Sequence, residues 1–367
     1  MAGASLRMKL CLPLLFALVA LPLFAADAPF DWQKAREIFQ RAQNGAQLTP
    51  DEQKILDEAK RRHAAGESPN GQPPNPQNPQ RNQQPPPPPP ENLVPLTDLT
   101  GKYQDQDGGL YGGGKNEPPA ALEARAKQAL AQIRPLNAEG KPAADGKIAM
   151  VSLGMSNTTM EFSAFKRVAD ADSRKAPNLV IVDCAQGGKT AAAWATNDQP
   201  WETAIARVKE AGVSPAQVEV MWLKQANANP TAGYPAATDQ LRDDVRTDIK
   251  RAREKYPNLR LIFLASRIYG GYAKTRLNPE PYAYEGAFAM RAVIKDQPAD
   301  GPVILWGPYL WTNGQKGRAM DDLKWLPEDC GGDGTHPSDS GRQKIARLLL
   351  DFFTKNPNAT PWFVKKS

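Results

Sequence analysis

The amino-acid sequence predicts an α/β domain, with five parallel strands in one sheet and helices on both of its faces. Three observations lead there. Five short apolar runs, each bounded by turn residues, are spread over residues 93–367, and strands that are apolar throughout are those buried on both faces. A helical pattern or a long connection follows each run, as parallel pairing requires. The region is also long enough to bury a substantial core.

In chain order, strands are expected at 147–153, 178–184, 217–223, 259–266 and 303–306. Helices are expected at 161–169, 201–211, 238–256, 284–295 and 338–354. Ligands of such sheets bind at the carboxyl ends of the strands. The residues just after each strand are therefore the candidates for chemistry.

Upstream, residues 1–26 carry a basic start at Arg7 and Lys9, an apolar run over 10–24 and then Ala25 and Ala26, with Ala28 beyond. The run is too short to span a bilayer, and the pattern is that of a cleaved secretory signal, so an exported, periplasmic or secreted protein is expected. Cys11 leaves with such a signal, and no small-residue lipid-attachment motif precedes it. Residues 27–66 are expected to form a short helical hairpin, with helices at 31–43 and 49–62. Thr49-Pro50-Asp51-Glu52 supplies a capping hydroxyl, a proline at the first helical position and a reciprocal glutamate, which together make a capping box. So short a unit buries little core. It is either a docking or tethering element for an envelope or protein partner, or a pair packed on the main domain. Residues 67–92 are Pro, Gln and Asn with almost nothing apolar, ending in six prolines at 85–90. They are expected to be a disordered, semi-extended spacer, or a ligand for a proline-reading domain.

The formal charge of +6 includes Arg7 and Lys9, so the chain without those two carries +4. Acids and bases are interspersed, without arginine-rich runs or aromatic-basic interleaving, which argues against nucleic acid as a partner. No histidine-rich or cysteine-rich ligand set is present, so neither a metal nor another cofactor is expected. No stretch after the signal is apolar enough to cross a membrane. Cys184 and Cys330 remain, either bridged in an oxidising compartment or present as two buried thiols.

The chain has two histidines. His63 lies in a charged segment before the proline tract, whereas His336 stands in Asp333-Gly334-Thr335-His336-Pro337-Ser338, ahead of the last expected helix. A hydrolase that uses serine or water at neutral pH usually needs an imidazole to move protons, which makes His336 the candidate base. The first strand runs into Gly154-Met155-Ser156-Asn157, placing Ser156 at a strand-to-helix turn among amide N–H groups; an ordinary serine cap has the same pattern. The second ends in Asp183-Cys184-Ala185-Gln186-Gly187-Gly188-Lys189, where paired glycines either let the backbone approach a ligand or make a tight turn. The third ends in Lys224-Gln225-Ala226-Asn227-Ala228-Asn229, whose side-chain amides either donate to a developing oxyanion or are solvated. Lys189 and Lys224 suit a carboxylate or sulfate on a substrate, or a neighbouring acid. After the fourth strand, Arg267-Ile268-Tyr269-Gly270-Gly271-Tyr272 offers aromatic rings to stack on a sugar and Arg267 as a polar clamp, or else packs as a long loop.

A serine after strand one, a glycine after strand two, an amide after strand three and Asp-x-x-His before the last helix together resemble the four sequence blocks of the SGNH, or GDSL-like, hydrolase superfamily, over about 147–353. The resemblance implies a flavodoxin-like three-layer sandwich with strand order 2-1-3-4-5, and covalent acyl transfer. It makes Ser156 the nucleophile, His336 its general base and Asp333 the carboxylate that orients the imidazole. The oxyanion hole would be the N–H groups of Ser156 and Gly188 with the side-chain amide of Asn227. Met155 stands where the family has the Asp of Gly-Asp-Ser, and Gln225 where a glycine opens the third block. The match is therefore atypical, and Gln225 and Asn229 rival Asn227. The run from Gly187 to Trp194, and Trp222 three residues before Gln225, look like the carbohydrate, sialate-type acetylesterase branch. The expectation is an exported, metal-independent serine esterase that removes O-acyl groups from carbohydrate. A glycan O-acyltransferase on the same fold and a non-catalytic carbohydrate-binding envelope scaffold are the alternatives.

Overall fold

The structure, a computed structural model, describes residues 30–31, 34–35, 38, 48–64 and 85–365. The chain divides into two compact units, Met1–Pro73 and Pro74–Ser367. The signal at 1–26, most of the first expected helix and the spacer before residue 85 lie outside the described residues. In the first unit, helix α1 spans Pro50–Ala64. It opens with the capping box: the Glu52 N–H donates to Thr49 Oγ1 at 3.3 Å and the Thr49 N–H to Glu52 Oε2 at 2.9 Å. The exchange provides for two N–H groups that a helix start cannot satisfy internally.

In the second unit, the hairpin β1 (Lys102–Tyr103) and β2 (Gln106–Asp107) and helix α2 (Ala120–Leu130) precede the main sheet. The sheet is built from β3 (Ile148–Gly154), β4 (Leu179–Val182), β5 (Val218–Lys224), β6 (Leu261–Ala265) and β7 (Val303–Trp306). Their order is β4-β3-β5-β6-β7 and every neighbouring pair is parallel, which is the 2-1-3-4-5 arrangement expected. The connecting helices are α3 (Ser156–Ala171), α4 (Ala191–Thr196), α5 (Gln199–Glu210), α6 (Ala236–Lys255), α7 (Tyr282–Lys295) and α8 (Asp339–Lys355), with a closing turn α9 (Thr360–Phe363). Helix α3 begins at Ser156 rather than at 161. Its first turn, Asn157-Thr158-Thr159, is made of weak helix formers that tertiary contacts override.

Side-chain alternation sorts the helices into layers. Trp222 of β5 stacks on Phe162 of α3, with ring centroids 5.6 Å apart, and Phe263 of β6 meets Phe353 of α8 edge-on at 5.6 Å. Leu223 and Leu264, one step along each strand, must then face the other layer, where α6 packs on α7. The register sets the site edge: Gly154 lies opposite Lys224, and Lys224 opposite Ala265. Three strands thus end level, and the loops that leave them emerge side by side.

Candidate active site

Ser156 follows β3 by two residues and starts α3. Met155, in the cap position, is extended (φ −105°, ψ −163°) and offers no side-chain cap. Among the described residues, no protein acceptor takes the N–H of Ser156 or that of Gly188. Gly188 holds a positive φ of 74° with nothing near its missing Cβ, so its amide is displayed on an open turn.

His336 reaches Ser156 from the loop before α8. That loop is closed at its base by Gly331 N–H donating to His336 O (2.7 Å) and Ser338 N–H to Asp329 O (2.9 Å). Gly334, at φ 68°, has to be a glycine, because a Cβ there would lie 1.7 Å from the carbonyl oxygen of Tyr272. Ser156 Oγ is 2.7 Å from His336 Nε2, and His336 Nδ1 is 2.5 Å from Asp333 Oδ2. The other carboxylate oxygen of Asp333 accepts the N–H groups of Thr335 and His336, both at 3.0 Å. The side chains of His336 and Asp333 are 27% and 34% exposed, so the line of three opens to solvent. Partial burial disfavours the Asp333 charge, but the His336 ring and the two N–H donors outweigh it and hold the carboxyl below the ordinary range.

Two buried networks carry this arrangement. Asp183, just past β4, accepts from Ser152 Oγ of β3 (2.5 Å) and from Thr159 and Ser163 of α3 (2.6 Å for Ser163). Ser152 Oγ in turn accepts the N–H groups of Cys184 and Ala185 at 3.0 and 3.1 Å. Helix α3, which Ser156 opens, and the Gly188 loop are thereby tied to one carboxylate. Below them, Lys224 Nζ binds both oxygens of Glu161 at 2.5 and 2.6 Å, all of it out of solvent. Burial pushes the Glu161 carboxyl up and brings the Lys224 ammonium down to about 8. Arg267 and Asn157 both donate to the carbonyl of Thr335, at 3.2 and 2.9 Å, fixing the residue before His336.

Several expected site residues therefore sit elsewhere. Lys224 is not a substrate contact: it shares a strand face with Trp222 and is used up by Glu161. Arg267 is buried and braces the His336 loop instead of clamping a ligand. Tyr269 is 9% exposed, its ring edge-on to Tyr272 at 5.0 Å and near Trp311 at 6.1 Å, so it packs its own loop and presents no sugar platform. Asn227 gives one amide N–H to Asp244 Oδ2 (2.6 Å) and accepts the Ala192 N–H on its oxygen (3.0 Å), which leaves one N–H in a fixed orientation. Its rival Gln225 is buried, with neither end of its amide partnered. Asn229 takes a positive φ of 52°. Lys189 is half-buried and makes no ion pair among the described residues. Cys184 and Cys330 are both free and buried. Cys184 Sγ donates to Ala204 O on α5, whereas Cys330 pairs with Pro337 at the base of the His336 loop, and burial pushes the Cys330 thiol up to about 11. Asn157, Glu161 and Asp183 were not singled out from sequence. Strand alternation was the available signal for the Glu161 partnership, since Trp222 and Lys224 must share a face.

No family model matches the chain, and no curated protein sequence matches it. Among solved structures it is similar to the periplasmic domain of a lipopolysaccharide acetyltransferase from Salmonella ser. Paratyphi A (12% identity, 63% of this chain and 96% of that one, TM-score 0.35). It is also similar to a catalytic mutant of an acetylxylan esterase from Geobacillus stearothermophilus (13%, 60% and 97%, 0.38), and to a GDSL-like lipase from Bacteroides thetaiotaomicron (12%, 63% and 95%, 0.33). Its structural neighbours are acylhydrolases, acetylesterases and acetyltransferases. At scores of this size the likeness decides nothing further. The α/β architecture rests on the chain's own strand order and register.

Among the described residues no cluster of three or more His, Cys, Asp or Glu side chains gathers as a metal ligand set, and no helix is long and apolar enough to cross a membrane.

Proposed function

We propose that this chain is an exported serine esterase of SGNH type that removes O-acyl groups from carbohydrate. One observation carries the reading: Ser156 Oγ, the His336 ring and the Asp333 carboxylate form an unbroken line at 2.7 and 2.5 Å on the open carboxyl edge of the sheet. In this reading His336 takes the Ser156 proton as Oγ attacks the ester carbonyl, and Asp333 stays ionised beside the imidazolium. The N–H groups of Ser156 and Gly188 and the remaining amide N–H of Asn227 receive the oxyanion. Collapse expels the sugar alcohol, which takes the proton back from His336, and water then releases the acyl group by the same steps reversed. The carbohydrate part rests on the spacing from Gly187 to Trp194 and on Trp222, and export rests on the pattern of residues 1–26.

A fluorophosphonate probe followed by mass mapping tests the mechanism. A single adduct on Ser156 is expected. Absence of any Ser156 adduct at high probe concentration, or turnover of O-acetylated oligosaccharide by a folded Ser156→Ala variant, would sink it.

A further inference from the structure

The candidate site is ringed by Met155 with the first residues of α3, to 160, and by the loops 185–190, 225–235, 267–279 and 331–338. Across them the sequence holds one acid, Asp333, which is engaged by His336. The same loops hold Lys189, Arg267, Lys274 and Arg276. Arg267 is spent on the Thr335 carbonyl, but among the described residues the side chains of the other three make no ion pair or hydrogen bond.

Arg276 is the informative one. The Lys274 N–H donates to Asp333 O at 2.9 Å, the Asn229 N–H to Leu277 O at 2.9 Å, and Asn278 Nδ2 to Asn227 O at 3.0 Å. Residues 274–278 therefore form the arm that closes the ring between the Asp333 turn and the Asn227 loop, and Arg276 stands in the middle of it. The residue is half-buried, and its Nε is out of solvent with no partner. A guanidinium that has lost part of its hydration without gaining an acid is poorly satisfied, and the planar fork of arginine suits an oxyanion. Clefts lined by one sign of charge also raise the local concentration of the opposite sign.

We propose that the ester taken by this site carries an anionic substituent, a carboxylate, sulfate or phosphate, received by Arg276 with Lys274 and Lys189 at the rim. The proposal rests on the esterase reading for its reaction but not for its binding. Matched probes are a mono-O-acetylated methyl glucoside, the corresponding glucuronoside and the corresponding 6-sulfate, assayed with the full chain. At low salt kcat/KM is expected to favour at least one anionic probe by on the order of tenfold. That ratio should shrink as salt rises, collapse toward one in Arg276→Gln, and survive in part in Arg276→Lys. Equal kcat/KM for all three probes, or a ratio that Arg276→Gln leaves untouched, overturns the inference.

Equilibrium binding of the same probes to the Ser156→Ala variant separates the two ideas. Tighter binding of an anionic probe, removed by adding Arg276→Gln, supports the anion site even if the native chain hydrolyses nothing. Equal binding of all three overturns it even if all are hydrolysed.

Discussion

Replacing Lys224 with methionine removes one partner of a buried pair and leaves the other. Both side chains are wholly out of solvent and meet at two contacts of 2.5 and 2.6 Å. Breaking such a pair costs about 3–5 kcal/mol, because the surviving charge is left uncompensated. The two singles should not cost the same. Glu161 is also the leading attractive charge for the buried Arg267, so two cations share one anion. Lys224→Met leaves Glu161 with Arg267 and belongs near the lower end, about 3 kcal/mol. Glu161→Gln leaves two cations without their anion and belongs at about 5 kcal/mol. At about 2 °C per kcal/mol for a domain of this size, these are drops of about 6 and 10 °C in Tm. The Glu161→Gln/Lys224→Met double variant removes one cation together with the anion and should fall well short of the sum. Thermal unfolding at pH 7, followed by circular dichroism and calorimetry, reads all three. A Lys224→Met shift under about 1 °C, or additive singles, would refute the reasoning.

Asp333→Asn should leave the fold intact and lower turnover by about 10,000-fold by holding the His336 ring in the wrong tautomer; a loss under tenfold in a steady-state ester assay would count against the triad. Because the folded chain holds the Asp333 carboxyl below its unfolded value, its contribution to stability is present above about pH 4 and is lost as pH falls through the lowered value. The Tm gap between Asp333→Asn and the native chain should thus stay constant from neutral pH to about 4 and close below it; a gap that closes near neutrality contradicts this. Glu219 works in the opposite sense. Burial pushes its carboxyl up to about 8, and only Oε1 has a partner, the Arg134 N–H at 3.1 Å. Since the folded state holds the proton more tightly than the unfolded one, stability is lost as pH rises from about 4.5 toward 8. Glu219→Gln should match the native Tm near pH 4 and exceed it increasingly up to about pH 8, whereas a flat difference would show that Glu219 does not titrate in this window. Thiol titration in denaturant should find both Cys184 and Cys330 free, and dithiothreitol should leave Tm unchanged; recovery of a Cys184–Cys330 peptide by non-reducing mass spectrometry would contradict the structure.

The sheet was legible because its strands are buried on both faces, so unbroken runs such as Ala149-Met150-Val151 and Leu261-Ile262-Phe263-Leu264 stand out from their surroundings. Helix α2 was legible in principle, since Ala120-Ala121-Leu122-Glu123-Ala124-Arg125-Ala126 is a run of good helix formers after two prolines; it lies ahead of the strand-helix alternation that marks the sheet. Ser156, Asp333 and His336 were legible by residue type and place, because scarcity left His336 as the one histidine in the folded domain. Their meeting was not, since it depends on the closed turn from 330 to 337, which long-range contacts and no local pattern set. The binding residues fared worst. Lys224, Arg267 and Tyr269 were placed at strand ends correctly but on the wrong side of the solvent boundary, because Lys224 is still inside β5 and the residues past β6 stay buried through 270 before the loop turns out.

That boundary explains how an edge so rich in polar groups stays ordered. Near the carboxyl ends of β3, β4 and β5 stand Ser152, Asp183 (just past β4) and Lys224; Asp183 accepts from Ser152 and from Thr159 and Ser163 of α3, and Lys224 donates to Glu161 of α3. All three helix residues lie within two turns of Ser156, so the groups that resist sliding of α3 along the sheet are concentrated next to that residue. Ser156 can then be held 2.7 Å from His336 without a capping side chain at Met155, and the first-turn N–H groups that a cap would occupy are left open. The departure from Gly-Asp-Ser at Met155 is compatible with an ordered site for this reason: the anchoring that a cap would supply at the start of α3 comes instead from Asp183 and Lys224 beneath its first two turns.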